Sequence, residues 1–445
     1  MFQETDIEEY EIDTRCDFLI VGAGAAGLAA AVSYARSCDG RVIAFDVNDK
    51  AGKKIAATGN GRCNLSNTAA EGYTRTRTFF ESLGLKFSFE EDGRVYPMNR
   101  EAACVRRALI TEAERLGVIL IPSAHVTEVR IRDEESGRGF VVLVQVGGSD
   151  AVDFFAERVL IATGGKCTPQ LGNLGDGFAF ARRLGHHVKR ILPALVPMVY
   201  GPEEVKIFAA LNGVRARARV SLLHEGITLA EEIGQVQFAG SGISGICVFN
   251  LSRCMRTKRD TRQGRGFASY NERHGFEVSM DFAPGLSFDE VAALLSEKRV
   301  AGMNGLINSG LADQFNFLID AGLDEQYATG DRDRRFLTFA PIFDERYTYA
   351  DGDPGDRARR EATLIKGFTV PIRGTKGWKA AQVTSGGVSL DETHPGTFES
   401  RLWPGLYFAG EVLDYDGPSG GYNLDWAWNS GIGAGEAAAR KTRER

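Results

Sequence analysis

Three glycines and one acid are the residues of this chain best suited to hold a ligand. Asp17-Phe-Leu-Ile-Val-Gly22-Ala-Gly24-Ala-Ala-Gly27 sets an apolar run before a Gly-x-Gly-x-x-Gly turn, and Asp46 follows 19 residues after Gly27. Gly22 suits a tight turn, Gly24 lets the backbone approach a pyrophosphate, and Gly27 lets a helix pack closely on the strand. Ala25 and Ala26 open that helix, whose free N–H groups and positive dipole end attract phosphate. Asp46 ends a second apolar run, where a carboxylate can accept hydrogen bonds from a ribose. A glycine turn alone is common; strand, helix and terminal acid together point to a dinucleotide.

Further chemistry is spread along the chain. The loop from Gly52 to Asn64 carries Lys53, Lys54 and Arg62 among Asn60, Cys63 and Asn64, a set of cations and amides suited to a pyrophosphate and to flavin polar edges. Thr163-Gly164-Gly165 ends one apolar run, and Gly410-Glu411 ends another. Gly420-Gly421-Tyr422-Asn423 then opens a helix whose N-terminus would stabilise negative charge on a reduced flavin. One nucleotide motif with two remote glycine-ended strands points to FAD rather than NAD, because FAD is long enough to span the sheet.

Other constellations read as structural. Cys63 has no histidine near it in sequence and is expected to be a packing or flavin-adjacent thiol. Gly240-Ser-Gly242-Ile-Ser-Gly245 repeats the glycine pattern, but the polar Gln235-Val-Gln-Phe238 before it is a poor buried strand. It reads as a turn, so a nicotinamide cofactor would bind only transiently. The six histidines show no metal or triad spacing, and none stands in a covalent-flavin context, so noncovalent FAD and no metal are expected. His186-His187 reads as a helix-end pair.

The elements that must position these residues follow from periodicity. Strand Cys16–Val21, helix Ala25–Ser37 and strand Arg41–Asp46 form one βαβ unit, followed by a loop from Ala51 to Asn67. Arg100–Leu116 has a helical pattern, and runs at 118–121, 126–131, 140–146 and 152–161 alternate or stay apolar as strands do. Between about 189 and 375 short β-like runs suggest a barrel or sandwich, interrupted by a helical stretch at about 286–344 that opens on a Ser287/Glu290 capping box. Nucleotide-like chemistry returns after 375. The expected organisation is an acidic arm at 1–16, a discontinuous FAD domain at 17–188 and 376–445, and an inserted substrate-side domain at 189–375.

Composition bounds the function. At 445 residues more than one domain is expected. A net charge of −6 without a basic block argues against nucleic acid as a partner. No apolar run reaches membrane-spanning length and no signal peptide pattern precedes the first strand. Seven scattered cysteines without a Cys-x-x-Cys pair fit reduced thiols in a cytoplasmic compartment and argue against a flavin disulfide reductase. The six acids from Glu4 to Asp13 read as a solvated terminus.

Taken together, the motifs resemble a bacterial flavoprotein family that includes BaiN-type reductases and aminoacetone-oxidase-like proteins. The matching segments are Val21–Gly27, Gly52-Lys-Lys54 with Gly59–Asn64, Gly93-Arg-Val-Tyr-Pro97, Ala162–Gly165, Gly175-Asp-Gly177, Pro193–Pro197, Val383–Val388 and Gly405 through Gly433. The resemblance implies an α/β fold with a Rossmann-type, glutathione-reductase-like FAD domain split by an inserted β-barrel and a helical subdomain. It implies cofactor contacts at Gly22, Gly24, Ala26, Asp46, Lys54, Arg62, Asn64, Thr163, Gly164, Gly410, Glu411, Gly421 and Asn423. Ala25, Asn60, Val126 and Tyr422 complete the expected set. Three departures stand out: Asp46 replaces a usual glutamate, Ala239–Ile246 lacks the histidine and proline of the family's Thr-His-x-Gly-Leu-Ser-Gly-Pro run, and Asp425 replaces a common glutamine.

The expected activity is FAD-dependent oxidoreduction of a small molecule, with NAD(P)H as transient donor and an activated, steroid- or bile-acid-like enone as acceptor. Tyr422 and Arg62 are expected on the substrate side. A flavin amine oxidase using O₂ and a non-catalytic, redox-responsive flavin binder are the alternatives. Residue types alone leave substrate and oligomeric state open.

Overall fold

The computed structural model describes residues 13–132, 139–172, 174–255, 275–297, 301–328 and 354–444, and of 354–356 the backbone alone. The acids Glu4 to Glu11 of the N-terminal arm and residues 298–300 and 329–344 of the expected helical stretch lie outside them. The chain divides into two compact units, Met1–Leu192 with Val383–Arg445, and Pro193–Gln382.

The discontinuous unit opens with β1 (Arg15–Val21), α1 (Ala25–Ala35) and β2 (Val42–Phe45). It continues through α2 (Lys53–Ala57), β3 (Ser66–Asn67), α3 (Tyr73–Ser82), β4 (Phe87–Phe89) and β5 (Arg94–Pro97). Then come α4 (Ala102–Arg115), β6 (Ile119–Ile121), β7 (Ala124–Ile131), β8 (Phe140–Val146), β9 (Val152–Ile161), α5 (Asp176–Arg183) and β10 (Val188–Ala194), whose last two residues belong to the other unit. After the insertion, β18 (Val383–Val388), β19 (Leu406–Phe408) and α11 (Tyr422–Arg443) complete it.

The main sheet runs β6-β2-β1-β9-β8-β7, with β19 also on β9. β9 does two jobs, and its residues say so. Its first half alternates in burial and pairs antiparallel with β8; its last four residues are all buried, and the final three lie parallel between β1 and β19. A strand covered on both faces reads as a continuous apolar run, which is why Phe18–Val21 and Val159–Ile161 look alike. α1 is apolar nearly all round because α11 covers what the sheet does not. A Cβ on Gly431 or Gly435 of α11 would overlap the carbonyl oxygens of Ala26 or Ala30, so these glycines set how closely the helices approach.

The segment from Ala51 to Asn67, expected as a loop, holds α2, a 3₁₀ turn at Thr58–Gly61 and β3. Ile55 is buried and anchors the short helix, while β3, β4 and β5 form a small antiparallel sheet. Elements this short carry too few residues for a period to show.

The second unit holds β11 (Met198–Val199), α6 (Pro202–Ile207), β12 (Arg215–His224), β13 (Ile227–Ala239), β14 (Gly242–Ser244) and α7 (Ile246–Ser252). It goes on through β15 (Phe276–Asp281), α8 (Phe288–Ser296), α9 (Ser309–Asp320), α10 (Pro354–Gly367), β16 (Phe368–Ile372) and β17 (Gly374–Thr375). One antiparallel sheet runs β16-β15-β12-β13-β14-β11-β17. Its two end strands are joined through Arg373 alone, so the sheet must curl back on itself as a barrel does. Ser287 accepts from the Glu290 amide and Glu290 accepts from the Ser287 amide, the reciprocal cap that starts α8. A separate helix, α10, lies beyond the expected end of the helical stretch.

The glycines after β13 are more than the turn expected of them. Gly242 lies in β14, where a Cβ would overlap the Met198 carbonyl, and Gly245 at φ +119° leads into α7. The strand before them pairs antiparallel, so no parallel βαβ turn forms there.

Candidate functional site

The carboxyl ends of β1, β9 and β19 are adjacent, and the glycine turns leaving them converge at one edge of the parallel sheet. Ligands of open α/β sheets bind at that edge. Gly22 has φ +105°, and a Cβ there would stand 2.6 Å from the Ala162 carbonyl oxygen. A Cβ on Gly27 would overlap the Gly22 carbonyl. Gly24 differs: with φ −85° and nothing within 4 Å of a built Cβ, it faces open space. It caps α1, whose N-terminus has no side-chain cap and no acid in the first turn. Ala25 and Ala26 follow, with Ala26 buried and 3.0 Å from where a Gly410 Cβ would stand.

Asp46 stands just beyond β2 and is only 7% exposed. Its Oδ1 accepts from the Asn48 amide and side chain, each at 2.9 Å. Burial pushes its carboxyl up, opposed by the Asn48 bonds and the Ala23 amide of the glycine turn. The Ala124 amide donates to the Asp46 carbonyl, which ties the start of β7 to this corner; Val126 lies two residues on, buried.

The loop after α2 is conformationally unusual. Gly59, Asn60, Gly61 and Cys63 all have positive φ, and two of them are not glycine. Asn60 and Arg62 are exposed at its tip. The Arg62 guanidinium lies over the Tyr96 ring at 5.6 Å, and Arg100 lies over the same ring at 5.3 Å. Cys63 is fully buried within the apolar core, and burial pushes its thiol up to about 12, which suits a packing thiol and not a nucleophile. Asn64 Oδ1 is buried without a hydrogen-bond partner, 3.0 Å from where a Gly421 Cβ would stand.

α11 begins beside that loop. Gly421 caps it at φ +104°, where a Cβ would overlap the Ser66 carbonyl, and no side chain caps it. Asn67 donates to the Gly420 carbonyl at 3.1 Å, and Trp428 donates to the Leu65 carbonyl at 3.0 Å. Asp425 Oδ1 accepts from the Ser66 and Thr76 hydroxyls at 2.6 and 2.7 Å. The acid that departs from the family pattern is therefore a buried clamp on this helix. Tyr422 is half-buried in the first turn. Asn423 spends its side chain on the preceding loop, accepting from Gly417 at 2.8 Å and donating to the Gly417 and Pro418 carbonyls.

Thr163 and Gly164 leave β9, with Gly164 at φ +76°. Gly410, at φ +77°, donates to Ser430 Oγ at 2.9 Å. Glu411 accepts from Lys54 at 2.9 Å and from Cys167 at 3.1 Å. Sequence reasoning named Lys54 and Glu411 but not Cys167 or Thr384, which bind this pair; Thr384 sits in the fully buried strand β18 and gives no local signal of such a role.

One histidine proves more than a helix-end residue. His186 is buried between Glu392 (3.0 Å to Nδ1) and Ser400 (2.9 Å to Nε2), the outline of a hydrolytic triad. Ser400 is buried, its Oγ accepting from the Leu402 and Trp403 amides and donating to His186, which leaves the hydroxyl closed to a substrate. The set is a structural pin.

These features fit a dinucleotide: open space at Gly24, two helix N-termini free of side-chain caps, and an orphaned Asn64 oxygen. None of the described helices is long and apolar enough to cross a membrane.

The sequence has informative relatives. The family described as HI0933-like protein Rossmann domain matches residues 72–437. A 3-dehydro-bile acid delta(4,6)-reductase of Clostridium scindens is 34% identical, over 95% of this chain and 98% of that protein. A ribosomal RNA dihydrouridine synthase of Escherichia coli is 27% identical, over 94% of this chain and 96% of that protein. Its namesake from Haemophilus influenzae is 26% identical, over 95% and 98%. The chain therefore belongs to the HI0933-like Rossmann family and is a FAD-dependent oxidoreductase.

Proposed function

We propose that this protein reduces a carbon–carbon double bond conjugated to a carbonyl, in a steroid-like small molecule, with NAD(P)H as electron source. One observation carries the reading. The 34% identical relative is named for reducing such a bond in a 3-dehydro-bile acid, along nearly the whole chain. When bound, the flavin supplies the hydride, accepted from NAD(P)H and delivered to the β-carbon.

The chain's residues would do the rest. The glycine turn and the α1 N-terminus bind the pyrophosphate, and Asp46 binds a ribose. The uncapped N-terminus of α11 favours negative charge at the far end of the cofactor. Tyr422 Oη gives the proton to the α-carbon. Arg62, exposed and with no carboxylate partner among the described residues, binds the carbonyl or an acidic group of the substrate. Tyr422→Phe should lower kcat by about 10²-fold, and Arg62→Ala should raise KM while sparing kcat.

A second reading deserves its own arm. The two dihydrouridine synthases also reduce a double bond conjugated to a carbonyl, in uridine of RNA. The net charge of −6 weighs against RNA. The test is anaerobic reduction of the FAD-loaded protein by NADH and by NADPH, then reoxidation by steroid enones, ribosomal RNA, amine-derived acceptors or O₂. Rapid reoxidation by enones supports the proposal; reoxidation by RNA alone replaces the substrate. A flavin that neither nicotinamide bleaches sinks the reductase reading.

A further inference from the structure

At the carboxyl edge of the parallel sheet lies a cluster that none of the proposed steps uses. Lys54 Nζ donates to Glu411 Oε2 at 2.9 Å and to Cys167 Sγ at 3.1 Å. The Cys167 thiol donates to Glu411 Oε1 at 3.1 Å, closing a ring of three side chains. Backbone amides complete the carboxylate: Thr384 donates to Oε1 at 2.6 Å and Gly165 to Oε2 at 3.2 Å. Thr384 Oγ1 accepts from the Lys166 and Cys167 amides at 2.7 and 3.2 Å. A Cβ on Gly165 would stand 2.7 Å from Glu411 Cδ, so only glycine lets the carboxylate in. Four segments meet here: α2, the turns after β9 and β19, and β18.

The protonation states follow from the neighbours. Burial works to raise the Glu411 carboxyl, but Lys54, Cys167 and the Thr384 amide outweigh it, and the group stays ionised. Burial works against the Lys54 ammonium, but Cys167 and Glu411 more than offset it. Burial, helped by Glu411 and opposed by Lys54, pushes the Cys167 thiol up to about 12, so it keeps its proton and can donate. A group closing this ring must accept from an ammonium and donate to a carboxylate at once. A thiol or hydroxyl can; an aliphatic side chain of equal size cannot.

The ring also has a direction. Cys167 is fully buried, whereas the Lys54 side chain is 31% exposed. Two of the three Lys54 N–H bonds are used within the ring, and the third has no acceptor among the described residues. The ammonium is thus held, charged, at the edge where the glycine turns converge.

We propose that Cys167 is the positioning residue of the cofactor site: it aims the remaining Lys54 N–H at the flavin and so sets flavin affinity and midpoint potential. The inference rests on the flavin reading above. A fixed cation beside the flavin favours its reduced, more negative form, so losing that cation lowers the potential.

Two substitutions separate this from a packing role. Cys167→Ser keeps a group that accepts and donates; Cys167→Val fills the space and does neither. FAD is titrated into each protein after its native circular dichroism is verified, and the visible spectrum and midpoint potential are recorded. Cys167→Ser should resemble the wild type. Cys167→Val should bind FAD about tenfold more weakly, with a lower potential and a shifted visible band, as Lys54→Met should. Adding Cys167→Val to Lys54→Met should change neither affinity nor potential further. Wild-type behaviour of Cys167→Val, or equal damage from Ser and Val, would overturn the inference while leaving the flavin reading intact. A wild-type protein that takes up no FAD would remove both.

Discussion

At the scale of single residues, the two glycines that open the nucleotide turn are separable by experiment. Gly22 is needed by the fold: its positive φ and the Ala162 carbonyl leave no place for a Cβ. Gly22→Ala should cost about 1–2 kcal/mol or more from backbone strain alone, read as a lower urea midpoint. Gly24 has ordinary φ and open space, so Gly24→Ala should leave stability unchanged and weaken FAD binding. Loss of stability in Gly24→Ala would mean that the glycine serves the fold and not a ligand. His186 makes a second prediction. Burial lowers its pKa below the usual 6.5, against a smaller opposing pull from Glu392. The unfolded chain then takes up a proton that the native imidazole refuses, so this stability is complete above the unfolded pKa and lost as pH falls below it. From roughly pH 7.5 to 5.5 the thermal midpoint should fall further in the wild type than in His186→Gln. The turn that holds Gly24 was legible in sequence because it is fixed by residues within one turn. The burial of His186 was not, because its partners are Glu392 and Ser400, more than 200 positions away.

At the scale of elements, the contact between α1 and α11 holds the nucleotide turn in place. Gly431 and Gly435 sit against the backbone of Ala26 and Ala30, one helical turn apart on each helix. Gly435→Val should push the helices apart and cost about 1–3 kcal/mol. Gly431→Val should do the same and also weaken FAD binding, because Ala26 lies in the first turn of α1. Equal loss of FAD affinity in both would mean that the whole helix moves as one body. Strands buried on both faces, such as β1 and the end of β9, could be read from their apolar runs, and the start of α8 from its capping box. The two-residue β3 and the five-residue α2 could not, since neither is long enough to show a repeat. The polar β13 was also underestimated, because its outer face is exposed while Val236 and Phe238 are buried.

At the scale of the molecule, the chain leaves one unit at Leu192 and returns to it at Val383. Both segments contribute to the cluster of Lys54, Cys167, Thr384 and Glu411, so the unit that would hold FAD is complete only when both are present. FAD should therefore stabilise the discontinuous unit and leave the inserted one largely unaffected. At a hundredfold excess over its dissociation constant, the gain is about 2.7 kcal/mol. Hydrogen exchange with and without FAD should show added protection in β1, β9 and α11 and little change in β12 and β13. Protection spread evenly over both units would contradict a cofactor site confined to one of them.

The sequence by itself determined the nucleotide turn, the βαβ unit that carries it and the α/β class, because glycine conformations and apolar repeats act between near neighbours. It also marked Lys54 and Glu411 as residues to watch. What they bind was decided only by the tertiary structure. Lys54 and Glu411 are 357 positions apart, and Cys167 and Thr384 reach them from two further segments. Those encounters depend on which strands lie side by side at the sheet's carboxyl edge, a property of topology that no local pattern of residues records.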